Sequence, residues 1–192
     1  MWWLKARRAP TVLTSALVAF LLLACVVQNT LVPLPSLTGS TQVALSLFVP
    51  IPLVAALMLC LESRLTAAEI SGVRAVAVLD AALVVVTVAA AVAVGMAVDA
   101  AFDAGPAGAA GRNTAFLTGL MLCGRAFVGE RAVMIPVAWL LLVVLVGFRS
   151  TGDPRPWTVV PEPLGAVHAT IGTLLVFCVG MLAHLYTSRK MP

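Results

Sequence analysis

Ionisable side chains are scarce in this sequence, and those within or beside its long apolar runs are the first candidates for chemistry. Asp80, Asp99, Asp103 and Arg112 stand out, with the amide of Asn113 beside the last. A charge inside a membrane is expensive, so such a residue marks a substrate or ion contact, a proton step or a structural ion pair. Asp99 and Asp103 close the third apolar run, and Arg112 with Asn113 opens the fourth after a short loop. Their shared depth predicts an ion pair between Arg112 and Asp99 or Asp103, pinning the third and fourth helices together. Contact with an anionic substrate is the alternative role for Arg112. Asp80 lies near the start of the third run, where it is expected at the interface beside Arg74, its carboxylate snorkelling toward headgroups.

Beyond these residues the chemistry is thin. No phosphate-binding G-x-x-x-x-G-K-[ST] loop, G-x-S-x-G elbow or HExxH zinc motif occurs. His168 and His184 stand sixteen residues apart on the last run, too far along one helix to share a metal, and are expected as packed or interfacial histidines. Cys25, Cys60, Cys123 and Cys178 all lie in apolar runs with no CxxC spacing, and read as small buried hydrophobes. No catalytic, cofactor or metal site is expected in this chain.

The elements that must position these residues follow from composition. The 192 residues are 61% hydrophobic and 10% charged, with a mean hydropathy of +1.08, whereas soluble domains carry about 25% charged residues. The expectation is one polytopic transmembrane domain, 1–192. A net charge of +4 spread over short loops is no nucleic-acid footprint. Ten of the twelve basic residues are Arg, and Ala and Val abound, which points to a GC-rich bacterial genome and a bacterial plasma membrane.

Six runs approach the roughly 20 residues that a spanning helix needs. They are about Thr11 to Val32, Val43 to Leu61, Val73 to Val98, Gly108 to Gly124, Ala132 to Phe148 and Gly165 to Tyr186. The predicted fold is all-α, with six transmembrane helices and both ends in the cytosol. In that orientation nine basic residues lie inside (Lys5, Arg7, Arg8, Arg64, Arg74, Arg125, Arg131, Arg189, Lys190) and three outside (Arg112, Arg149, Arg155), as the positive-inside rule asks. Residues 1–10, "MWWLKARRAP", read as an interfacial segment with Trp2 and Trp3 at headgroup level and the following run as a retained signal anchor. Residues 149–164 form an outer loop whose Pro154, Pro156, Pro161 and Pro163 forbid a regular helix; it is expected either to dip into the outer interface with Trp157 as its anchor or to stand as a stiff loop. Pro50 and Pro52 are expected to kink the second helix and Pro136 the fifth. Small residues along the third run favour close helix packing.

The charged stretch "LESRLTAAEISGVRAVAVLD", residues 61–80, separates the second and third runs. Its middle has helix formers, and Gly72 ends it. Residues 62–72 therefore predict a short helix along the inner face, with Glu62, Arg64, Glu69 and Arg74 available to a cytosolic partner. Here the chain resembles permease subunits of the ABC-2 type, which have six spans, cytosolic ends, an N-terminal interfacial helix, a coupling helix between spans two and three, and their longest outer connection between spans five and six. Glu62 and Glu69 match the acidic part of that family's coupling loop, although no Gly-Thr follows. The resemblance implies an exporter subunit that pairs with itself or a similar permease, in the lipid bilayer, bound to a separate ABC ATPase that holds ATP and Mg. A membrane scaffold and an accessory subunit of a membrane complex remain the alternative readings.

Overall fold

Long runs of Ala, Leu and Val become helices wherever proline stays out of their interiors. The computed structural model describes residues 9–28, 30–37, 39–63, 76–102, 105–149 and 151–190. It contains α1 (Ala9–Val26), a hairpin of β1 (Leu31–Ser36) and β2 (Gly39–Ala44), α2 (Ile51–Glu62), α3 (Val76–Phe102), α4 (Gly105–Val128), α5 (Met134–Val146) and α6 (Val167–Lys190). Short 3-10 segments at Leu45–Phe48 and Gly129–Val133 precede α2 and α5. Among the predicted features, Trp2, Trp3, Arg64, Glu69, Arg74 and Asp103 lie outside the described residues, and so does all but the start of the 62–72 coupling segment.

The prolines expected to kink two helices begin them instead. Pro50 precedes α2 and Pro52 stands in its first turn, while Pro136 is the third residue of α5. In a first turn the missing N–H would have had no helical partner, so proline costs little there.

Five helical stretches are long and apolar enough to cross a membrane. One of them, the 42-residue stretch Gly105–Val146, folds back on itself. Phe116 of α4 and Trp139 of α5 bring their ring centroids within 5.7 Å, which a continuous helix could not do across twenty-three residues. The reversal falls in the 3-10 segment, which starts at Gly129 with a φ of 61°. α5 alone has 13 residues, about 20 Å of helix against a bilayer core of about 30 Å.

The fold is therefore mostly helical, but it is not purely α: Leu31–Ser36 was expected to be the end of the first helix and a loop, and it is a strand. Its register pairs Leu31 with Ala44, Pro33 with Gln42 and Pro35 with Ser40. The bond from Leu45 N–H to Thr30 O sets the phase of the ladder. Positions 32, 34 and 36 then bond to β2, and 31, 33 and 35 turn their amides to the open edge. Both strand prolines thus occupy sites where no ladder donor is needed. The hairpin tip rests on the end of α5, where the Ser36 hydroxyl and the Leu37 N–H both donate to Leu145 O at 2.9 and 3.0 Å.

α4 is the central helix and touches α2, α3, α5 and α6. Glycines set how closely it is approached. A Cβ on Gly95 of α3 would lie 2.6 Å from Ala107 O, and one on Gly111 would lie 2.9 Å from Val92 Cα. On the opposite side, a Cβ on Gly119 would lie 2.7 Å from Phe177 Cα, and one on Gly180 would lie 3.0 Å from Gly119 Cα. Main chain meets main chain on both sides, as in tight membrane helix pairs where dispersion rather than water exclusion drives association. The outward faces are apolar: Leu174, Leu175 and Leu182 of α6 and Val86 and Met96 of α3 are all more than half exposed. Such surfaces suit lipid and would be liabilities in water.

Candidate functional site

Two groups of hydrogen-bonded polar residues lie toward the two ends of α4. The first group lies where the hairpin sits. Arg112 is 6% exposed and its guanidinium is enclosed by main-chain oxygens. It donates through Nη1 to Pro163 O at 2.9 Å and through Nη2 to Glu162 O at 2.6 Å and Val159 O at 3.1 Å. Nε and Nη2 also reach Asn113 Oδ1 at 3.4 and 3.2 Å, and Asn113 Nδ2 donates to Val160 O at 2.8 Å. One turn of α4 therefore straps down residues 159–163 of the proline-rich loop. The strap needs this help, because prolines at 161 and 163 leave it no regular ladder while its carbonyls face the protein. Thr158 and Val160 are buried with it. The loop's Trp157 meets Trp139 of α5 edge-on at 5.9 Å.

The expected pin is not formed on its Asp99 side, and Asp103 lies outside the described residues. Among the described residues, Asp99 is not a partner of Arg112; its carboxylate packs beside Gly108 instead. The opposite charge comes from Glu162, whose carboxylate acts on the guanidinium through space and whose Oε1 lies 3.5 Å from His168 Nε2. Arg112 joins α4 to the loop.

Between the hairpin, the first turns of α4 and the strap lies a half-open cavity of about 440 Å³. Leu31, Leu47, Ala109, Asn113, Val160 and Glu162 are among the residues that wall it. Its floor is apolar and its polar groups are few.

The second group lies at the other end of α4. Arg125 donates through Nε to Glu62 Oε1 at 2.8 Å and through Nη2 to Leu61 O at 3.2 Å. Its Nη1 lies 3.3 Å from His184 Nδ1. Arginine only donates, so a hydrogen bond there is accepted by Nδ1. Three elements are thus knotted: the end of α2, the last turn of α4 and the end of α6. Glu62, expected as a free contact for a partner, is engaged here with its side chain 20% exposed. Asp80, expected to snorkel, is only 6% exposed near the start of α3. Sequence spacing could not reveal this knot, since residues 62, 125 and 184 meet only in the fold.

The Glu62–Arg125 pair is a measurable coupling. Both side chains are mostly buried, so either single neutralisation, Glu62→Gln or Arg125→Met, strands the other charge and is expected to cost about 2 kcal/mol or more. The reversed pair Glu62→Arg with Arg125→Glu should recover part of the loss in a thermal-unfolding double-mutant cycle. Simple additivity of the two changes would show that the contact is incidental.

Among the described residues, no three His, Cys, Asp or Glu side chains converge on a metal position. The class these features define is a helical chain with several apolar helices compatible with a multi-pass membrane protein. Comparisons with family models, curated proteins and solved structures find no match for this chain.

Proposed function

We propose that this chain crosses a bacterial plasma membrane six times, α5 included, with both ends in the cytosol, as the permease subunit of an ABC exporter. The chain pairs with a second permease, identical or similar, and a separate ATPase subunit holds ATP and Mg. The hairpin, strap and cavity then face outward, and the Glu62–Arg125–His184 knot faces the cytosol. One observation supports this reading above others: a single helix links the two ends. Arg125 binds the residue from which the cytosolic loop departs, and Arg112, about 20 Å along the same helix, holds the roof of the outer cavity. A push on the loop displaces α4 as a rod, and the strap moves with it. The ATPase supplies the differential contacts that select between the two positions.

Orientation and partner are tested separately. In a Cys-free background, a cysteine at Ser188 should react only from the cytosolic side and one at Thr151 only from outside. Outward labelling of Ser188 would overturn the topology. Glu69→Arg, and separately a Gly-Ser replacement of residues 65–70, should reduce recovery of a co-purifying ATPase and lower its turnover while membrane insertion persists. Unchanged recovery and turnover in both would remove the exporter reading and leave the scaffold reading in its place.

A further inference from the structure

The cavity beneath the strap is distinctive for how its charges are arranged. The one carboxylate among its described lining residues, Glu162, is opposed by Arg112, and the guanidinium itself is consumed by carbonyl oxygens and the Asn113 amide. Asn113 is in turn spent on Arg112 and Val160. Among the described lining residues a charged guest would find no uncompensated opposite charge, and its desolvation would go unreturned. Two neutral hydrogen-bonding groups on the wall remain uncommitted among the described residues: the amide of Gln42 on β2 and the hydroxyl of Ser46 just beyond it. The rest of the wall includes Leu31, Ala44, Leu47, Ala109 and Leu164. At about 440 Å³ the space lies within the range of sites that enclose drug-sized ligands, about 300–1,000 Å³.

From this charge balance we infer that the cavity binds an uncharged, mainly apolar molecule with a hydroxyl or carbonyl end, its tail against Leu31 and Leu47 and its polar end toward Gln42 and Ser46. Sequence reading misses the site because its walls come from the hairpin, α4 and the strap, and its selectivity comes from charges that cancel. The inference does not rest on the exporter reading, since it concerns occupancy and needs no ATP.

The test uses the full chain in lipid nanodiscs with a diazirine-bearing long-chain alcohol as photoprobe, and peptide mapping by mass spectrometry. The alcohol is expected to label residues 42–47 and 105–113. Labelling there should fall at least about fivefold in Ala109→Trp and in Ala44→Trp, which fill the space from opposite walls. Labelling of the lipid-facing Leu174 and Leu175 should stay constant, reporting an intact bundle, and either filler that keeps this background is sufficient. Matched alkyl-carboxylate and alkyl-ammonium probes should label the cavity several-fold less than the alcohol. The proposal is overturned if the alcohol labels only lipid-facing positions, if the fillers leave cavity labelling unchanged, or if either charged probe labels as strongly.

Discussion

Replacing Arg112 with Met is expected to release the 159–163 strap. The substitution keeps most of the side chain's length but withdraws every donor that holds the carbonyls of Val159, Glu162 and Pro163. Each acceptor left dry costs about 1–3 kcal/mol, so a total near 3 kcal/mol or more is expected even if water reaches some of them. Hydrogen–deuterium exchange should quicken across residues 157–166, and thermal stability in detergent should fall. Arg112→Lys should rescue little, because one compact ammonium cannot span three carbonyls set around a planar fork. A lysine variant with wild-type exchange would show that positive charge alone secures the loop. Asn113→Leu, which frees only Val160 O and the Arg112 contact, should loosen the same segment to a lesser degree.

The second large effect is expected at the crossing of α4 and α6. Gly119→Leu drives a branched side chain into the main chain of Phe177, where no rotamer provides escape. Overpacking typically costs about 1–3 kcal/mol when side chains can yield; here the obstacle is backbone, so a larger loss is expected, seen as little monodisperse protein after extraction. Gly180→Leu meets Gly119 from the opposite side and should behave alike. Val179→Leu, one residue away on the exposed face of α6, should extract as wild type. Normal yield of the Gly119 variant would mean that the two helices cross more loosely than these distances state.

What could be read from the sequence divides along a physical line. Helices were legible because length and hydropathy are properties of a run, and the run is contiguous. Arg112 was legible as a residue needing a partner, since a guanidinium among Gly and Ala always does. The partner itself was not legible, because backbone carbonyls carry no letter in the sequence: the nearby aspartates were the only acceptors a reader could name. The hairpin was hidden for a related reason. "LVPLPS" reads as loop because proline cannot donate, yet its prolines are two residues apart, the period of one strand edge. The knot of Glu62, Arg125 and His184 was out of reach of any local pattern, and His184 seemed solitary on its own helix. Prolines 50, 52 and 136 were seen as kinks because the starts of α2 and α5 were placed eight and two residues too early.

The proline spacing in β1 carries a further consequence. Two-stranded sheets expose edges on which another chain can template a strand, and that route leads to edge-to-edge polymers. With Pro33 and Pro35 on the open side, an incoming strand would find two of the three outward amide positions without a hydrogen. Copies of this protein crowded side by side are therefore hindered from pairing through the β1 edge. The same two residues that disguise the strand in the sequence guard its outer edge in the fold.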